Sequence, residues 1–155
     1  MSLKVRRVVT GHDDNGKATV LIDEISDNVI SRRPGQSSTV LWATDQMPLD
    51  LGALNDVSGT VNQTTVPGGS VFRISRLEPG VGPRMHRTES LDYAIVLAGE
   101  LDMELDDGET VHLTAGDVVV QRGTVHNWIN NGTEACIMAY VLISAPLPEG
   151  LTGAG

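Results

Sequence analysis

The chain has 155 residues, a formal net charge of −9 and a single cysteine. This length fits one domain with its own core, the acidic balance argues against a nucleic-acid partner, and one cysteine cannot form an internal disulfide. No apolar segment approaches the length of a membrane span, and no apolar stretch of a secretion signal follows Met1–Arg7. We therefore expect a cytoplasmic protein without a membrane partner.

The first 69 residues carry strand signals but no self-sufficient core. Apolar runs predict three strands here, namely Val5–Val9, Ala18–Ile22 and Thr39–Ala43. The pair Asn15-Gly16 lies between the first two runs and predicts a hairpin. Asp45–Val57 is a candidate for a short helical turn. Because this part is short and polar, we expect residues 1–69 to be a strand extension that joins the following sheet or packs on a second copy of the chain.

Residues 70–145 carry a denser strand pattern. Apolar and polar residues alternate with a period of two, as in half-buried strands, in the segments 72–75, 101–105 and 110–114. Asp107-Gly108 predicts a hairpin between the last two segments. The apolar runs Val118–Val120 and Cys136–Ile143 predict further strands, the second buried on both faces. This pattern indicates an all-β sandwich or barrel, and the tail 146–155 has no periodicity and is expected to be flexible.

Two histidines, His86 and His126, stand inside glycine-rich stretches of this β segment. The carboxylate of Asp92 follows His86 by six residues. Two imidazoles and a carboxylate from separate strands converge only where the strands roll up around them. Neutral imidazole and carboxylate are standard ligands for zinc, iron, nickel and manganese, so this set suits a divalent metal ion.

The spacing of both stretches resembles the two signature motifs of the cupin superfamily. Gly80, His86, Asp92 and Gly99 fall at the spacings of the first motif. The second motif is matched, except at its proline, by the run Gln121-x-Gly123-x-x-His126-x-x-x-Asn130. The resemblance covers about residues 70–145. It implies a cupin-type double-stranded β-helix, which is a jelly-roll barrel, with residues 1–69 as an N-terminal strand extension.

The resemblance also implies a metal site, although the chain departs from the family's ligand set. A typical cupin offers three histidines and one glutamate, whereas this chain has Thr88 in place of the second histidine and Asp92 in place of the glutamate. The remaining set of His86, Asp92 and His126 matches a two-histidine, one-carboxylate triad with open positions. The alternative is a degenerate site that holds no metal.

Five further residues are candidates to contact a substrate: Arg84, Thr88, Tyr93, Gln121 and Trp128. Arg84 and Thr88 share the strand phase of His86, and Trp128 shares that of His126, so these side chains are predicted to face the same cavity. Alternative roles stay open. Arg84 lies at a solvent rim if Pro83 interrupts the strand, Thr88 bonds to Asp92 or a water, and Trp128 and Tyr93 serve as structural residues.

Two functions follow from the resemblance. The first is a small metal-dependent cupin enzyme, of lyase, isomerase or dioxygenase type, acting on a small organic molecule inside the barrel. The alternative is a non-catalytic cupin that binds or senses a small molecule and has a degenerate metal site. In either case we expect a homodimer, because the N-terminal strands carry apolar surface and open edges that a small barrel cannot cover.

Overall fold

The computed structural model describes residues 3–52 and 54–152, and these residues form an almost entirely β structure. They contain eleven strands and no α-helix, and no helix among them could cross a membrane. The prediction of an all-β chain is therefore confirmed. The strands are β1 (Val5–His12), β2 (Ala18–Ser26), β3 (Val29–Arg33), β4 (Gln36–Thr44), β5 (Ser70–Leu77), β6 (Ser90–Ala98), β7 (Glu100–Glu104), β8 (Thr110–Thr114), β9 (Val118–Arg122), β10 (Asn127–Ile129) and β11 (Cys136–Ser144).

Both predicted hairpins are present. β1 and β2 pair antiparallel around the Asn15-Gly16 turn, and β7 and β8 pair antiparallel from Glu100↔Thr114 to Glu104↔Thr110. The second turn uses left-handed backbone at Asp107, with φ 57°, and at Gly108, with φ 74°. Asp and Gly are among the residues that adopt this conformation most readily, which explains why the pair predicts the turn.

The strands are arranged in three sheets. The largest has six strands in the order β3-β4-β5-β11-β6-β9, the second has three in the order β10-β7-β8, and the third is the β1–β2 hairpin. β11 is central in the large sheet and has no exposed residue, as its continuous apolar sequence predicted. The strands β3 and β4 of the N-terminal part extend this large sheet at one edge.

The main apolar core lies between the six-stranded and the three-stranded sheets. Leu101 and Met103 of β7 face it, as their alternation with acidic residues predicted. They pack with residues of β5, β6, β8, β10 and β11, among which Cys136 and Met138 are fully buried. Burial of these side chains from water holds the two sheets together. Polar side chains line the space between the sheets at one end of the barrel.

One expectation for an irregular segment differs from the structure. The described residues of 45–57 form no helix, and a 3-10 turn comes directly after them at Ser58–Thr60. Residues 146–152 form no strand but lie along the barrel, where Arg87 Nη1 donates to the carbonyl of Thr152 at 3.4 Å. The end of the predicted flexible tail, 153–155, lies outside the described residues.

Candidate functional site

A cavity of about 80 Å³ lies between the sheets at the polar end of the barrel. It reaches the surface at Arg32, which is exposed. Five of the sequence-predicted site residues that line it are buried polar groups, and Arg84 and Trp128 line it as well. The lining residues are Arg32, Arg33, Gln36, Thr64, Arg73, Ser75, Leu77, Arg84, His86, Thr88, Asp92, Gln121, His126, Trp128, Tyr140 and Leu142.

His86 and His126 face each other across an isolated antiparallel bridge. Their main chains exchange two hydrogen bonds, of 3.0 Å from His86 N to His126 O and 2.9 Å from His126 N to His86 O. Directly opposed residues of an antiparallel pair place their side chains on the same face. The imidazole ring centroids are accordingly 4.3 Å apart. The two motif histidines therefore form one contacting pair at the cavity.

Each imidazole is anchored by the main chain two residues before it. Nδ1 of His86 lies 2.9 Å from the carbonyl oxygen of Arg84, and Nδ1 of His126 lies 2.9 Å from that of Thr124. A carbonyl oxygen only accepts hydrogen bonds, so each Nδ1 must carry the proton and donate it. In the neutral ring this leaves Nε2 unprotonated, as a base or as a metal ligand.

The surroundings keep both rings neutral. Burial and then the neighbouring His126 lower the pKa of His86 to about 4, and the positive charges of Arg84 and Arg33 act in the same direction. Burial also lowers the pKa of His126. Both imidazoles are therefore uncharged at neutral pH, with their Nε2 lone pairs available.

Asp92 is held by hydroxyl groups of its own strand region. Ser90 Oγ donates a short hydrogen bond to Asp92 Oδ1, and Thr88 Oγ1 lies 2.8 Å from Ser90 Oγ and 3.5 Å from Asp92 Oδ2. Burial raises the pKa of the Asp92 carboxyl to about 6, an effect that these hydroxyls and the charge of Arg73 partly oppose. Thr88 thus has the role of hydrogen-bonding to Asp92.

The side chains present do not fit the predicted three-ligand metal site. Among the described residues, no three His, Cys, Asp or Glu side chains are grouped to hold one ion. Asp92 is engaged by the two hydroxyls, and the positive charges of Arg33 and Arg84 act on the imidazole of His86. The two imidazoles fit an ion as a pair of donors, but Asp92 does not complete the set.

The other sequence-predicted residues have different positions. Trp128 lines the cavity and packs edge-on to His126, with ring centroids 5.4 Å apart. Gln121 also lines the cavity, and its Nε2 donates to Met103 Sδ at 3.2 Å. Tyr93 was expected to contact a substrate in the cavity. It lies instead on the opposite face of β6, where it is 43% exposed.

The cavity arginines of the large sheet were not predicted from the sequence. Arg73 is buried on β5, whereas its neighbour Phe72 is 40% exposed on the outer face. The inward phase of β5 therefore includes two polar residues, Arg73 and Ser75. The sequence contains one signal for the inward position of Arg73. Val71 and Leu77, at the two ends of β5, are apolar, share the phase of Arg73 and are both buried.

Comparison with known proteins agrees with this architecture. The sequence model of the Cupin_2 family, described as Cupin domain, matches residues 73–143. The chain is 38% identical over 149 residues to the cupin-domain-containing oxidoreductase fogC of Aspergillus ruber, which covers 90% of this chain and 72% of that protein. The chain belongs to the cupin family.

A second relative of this cupin and a solved structure extend the likeness over most of the chain. The phomopsin biosynthesis cluster protein C' of Diaporthe leptostromiformis is 39% identical over 166 residues, covering 96% of this chain and 87% of that protein. The crystal structure of a conserved protein with a double-stranded β-helix domain from Klebsiella pneumoniae is similar with a TM-score of 0.53 and 22% identity. It covers 83% of this chain and 92% of that one. The predicted jelly-roll barrel is confirmed.

Proposed function

We propose that this cupin is an enzyme that transfers protons on a small organic molecule bound inside the barrel. The observation that carries the proposal is the contacting pair His86 and His126, each anchored through Nδ1 so that an unprotonated Nε2 remains. A positioned neutral imidazole is the most common general base in enzymes. Relatives named as oxidoreductases and as biosynthesis cluster proteins support an enzyme of small-molecule metabolism.

Within this proposal, the donor set favours lyase or isomerase chemistry over dioxygenase chemistry. A proton taken from carbon by the bare Nε2 of one imidazole, and returned by that same Nε2 to another atom of the same molecule, gives a net isomerisation in which no electrons are gained or lost. Dioxygenase chemistry at non-haem iron uses two histidines and a carboxylate on one ion. Here Asp92 is held by hydroxyls instead. No step of the proposal is routed through a metal.

The proposal is tested by exchange of substrate hydrogen with solvent. Small organic molecules are incubated with the protein in D2O, and deuterium incorporation is followed by NMR while consumption is followed by mass spectrometry. His86→Asn and His126→Asn are each expected to slow exchange by about 100-fold or more. His112→Asn is the matched control, because His112 is exposed on β8 and pairs with Asp102 away from the cavity.

The second candidate is a non-catalytic cupin that binds or senses a small molecule. It is favoured by one observation, the absence, among the described residues, of a three-ligand group that includes Asp92. The same experiment separates the two functions. A compound that binds in the cavity but is neither exchanged nor consumed supports the binding protein, and equal exchange by the wild type and both histidine variants contradicts the enzyme.

We further propose that the enzyme is a homodimer of the cytoplasm. On β2, Val20 is 55% and Leu21 is 46% exposed, and as successive strand residues they point to opposite faces. Arg7 and Ser26 join the hairpin to β4, but Val20 and Leu21 stay exposed, so a second copy of the chain is the proposed neighbour that covers them. The cytoplasmic location is supported by Cys136, which is a free and buried thiol.

A further inference from the structure

Arg73 carries a buried hydrogen-bond donor without a partner. Arg73 is only 7% exposed, and its Nη2 donates to the carbonyls of Gln63 and Thr64 at 3.1 and 3.2 Å. Its Nε is buried and makes no hydrogen bond. Burial is the main cause that lowers the pKa of this guanidinium, to about 10, so it stays charged at neutral pH. A buried cation with an unused donor is costly unless an anion completes it.

Arg33 presents a second such donor to the same cavity. Its Nη1 is also buried without a partner, and both side chains line the cavity. Among the described residues, no ion pair joins Arg33 or Arg73 to a carboxylate. With Arg32 and Arg84, four arginines line the cavity against the single carboxylate of Asp92.

This concentration of positive charge is opposite to the charge of the whole chain, which is −9. The arginines also repel one another, because the charge of Arg32 acts on Arg73 and those of Arg33 and Arg32 act on Arg84. Such an arrangement persists at a cost in folding stability. An anionic ligand offsets that cost, and functional sites are where such costs are retained.

We propose that the substrate of this site is a carboxylic acid whose carboxylate accepts hydrogen bonds from Arg73 Nε and Arg33 Nη1. This inference rests on the proposed function and names its substrate class. Planar guanidinium groups match the two oxygens of a carboxylate. A phosphate is a poorer fit, because phosphate sites commonly use backbone N–H groups at a helix N-terminus, and the described residues contain no α-helix.

The rest of the acid is small and apolar. The cavity measures about 80 Å³, and Leu77, Trp128 and Leu142 contribute apolar wall beside the arginines. Typical ligand pockets measure about 300–1,000 Å³, so only a short substituent fits inside, with any longer part extending past Arg32 to solvent. The imidazoles lie at the same cavity, which brings the carbon next to the carboxylate within the region of the proposed proton transfer.

The test measures binding of carboxylates against uncharged molecules of the same shape. Calorimetric titrations use propionate against propionamide, benzoate against benzamide, and inorganic phosphate. Each acid is expected to bind at least about tenfold more tightly than its amide and than phosphate. Arg73→Met and Arg33→Met are each expected to weaken acid binding by about ten- to a hundredfold, as for loss of a charged hydrogen bond.

Arg76→Met is the matched control. Arg76 follows on the same strand, points to the outer face and pairs with Glu78, so its loss should change acid affinity less than twofold. The melting temperature of each variant without ligand checks folding, and Arg73→Met is expected to melt no lower than the wild type because a buried charge is removed. If Arg73→Met melts at a lower temperature than the wild type, the acid affinity of Arg33→Met decides whether the carboxylate assignment stands.

The outcomes separate this inference from the proposed function. Equal binding of acid and amide, or unchanged acid affinity in both arginine variants, overturns the carboxylate assignment even where the histidine variants lose exchange activity. Tighter binding of phosphate than of either acid also overturns it. Acid binding that requires Arg73 and Arg33, without exchange of any bound acid, leaves the carboxylate assignment standing and overturns the enzyme instead.

Discussion

His86 and His126 are placed opposite each other by two main-chain hydrogen bonds, of 3.0 and 2.9 Å, and not by any bond between their rings. The strand pairing therefore determines the ring contact. A substitution that removes one imidazole leaves both main-chain bonds intact, so the loss of function and the loss of fold are separable at this pair.

The first prediction concerns the protonation state of the rings. Nitrogen-15 NMR should show His86 with protonated Nδ1 and bare Nε2 from pH 8 down to at least pH 5.5, because burial lowers its pKa to about 4. His126 should show the same tautomer at neutral pH, because burial lowers its pKa as well. His112 is the internal control. Its pKa is raised, first through its hydrogen bond to Asp102, so it should gain its proton at higher pH than either cavity ring. A cavity histidine that titrates together with His112 would contradict the prediction.

The second prediction concerns pH and stability. The carboxyl pKa of Asp92 is raised from 3.8 to about 6, so the folded chain holds this proton more tightly than the unfolded chain. Stability is therefore lost as the pH rises from about 4 through 6, by up to about 3 kcal/mol. Asp92→Asn removes this loss, and its free energy of unfolding relative to the wild type should rise by about 2 kcal/mol between pH 4 and pH 8.

Urea unfolding at the two pH values measures the Asp92 effect. Asp27→Asn serves as the control, because Asp27 is exposed and its substitution should show no such trend. The interpretation fails if the Asp92→Asn difference is the same at both pH values, since burial of a charged carboxylate then costs nothing.

Strand positions were predictable from alternation, but the face that turns inward was less so. On β7, Leu101 and Met103 alternate with acidic residues, and the apolar phase is buried as predicted. On β5, the phase that holds Phe72 faces outward, and Arg73 faces the cavity. Alternation predicts that successive side chains point to opposite faces, but it does not say which of the two faces is buried. Which phase is buried depends on what the opposite sheet and the ligand present, and that is not local information.

The cavity could be predicted in part for a related reason. His86 and His126 stand in spaced motifs, so their pairing follows from the resemblance. Arg33 comes from the end of β3 and reaches the cavity only because β3 and β4 add to the edge of the large sheet. Tyr93, a candidate to contact a substrate, faces away from the cavity, since it follows Asp92 on β6 and adjacent strand residues point in opposite directions.

The third prediction concerns metal retention. Thr88 lines the cavity beside His86, so Thr88→His adds a third imidazole where the described residues provide two. After incubation with zinc, iron, nickel or manganese and gel filtration, elemental analysis should find less than one equivalent on the wild type and more on Thr88→His. Thr124→His is the control, since Thr124 is exposed. One full equivalent on the wild type, lost in Asp92→Asn, would restore the three-ligand site.

The fourth prediction concerns the last glycine of the first motif. Gly99 has φ +78°, and a Cβ there would lie 2.6 Å from the carbonyl oxygen of Ala135. Gly108 has a similar φ of +74° with nothing within 4 Å. Gly108→Ala should cost about 1–2 kcal/mol for the left-handed backbone alone. Gly99→Ala should cost about 1–3 kcal/mol more for the close contact, measured by urea unfolding. Equal losses would mean that the main chain of Ala135 moves away freely.

The fifth prediction concerns assembly. The wild type should sediment as a dimer at micromolar concentration, and Val20→Asp should shift it toward monomer, because the apolar side chain of Val20 on β2 is 55% exposed. Val111→Asp is the control on β8, where Val111 is 39% exposed on the three-stranded sheet. A wild-type monomer, or equal dissociation by both variants, would rule out an interface at the hairpin.

Both imidazoles are anchored by a carbonyl two residues earlier in the chain, that of Arg84 for His86 and that of Thr124 for His126. This orientation depends on no side chain of the opposite wall. The strands that bring Arg33, Arg73 and Leu142 can therefore change during evolution without turning either ring. One barrel can keep its histidine pair while selection replaces the opposite wall of the cavity, which makes this scaffold a suitable starting point for altering ligand preference by design.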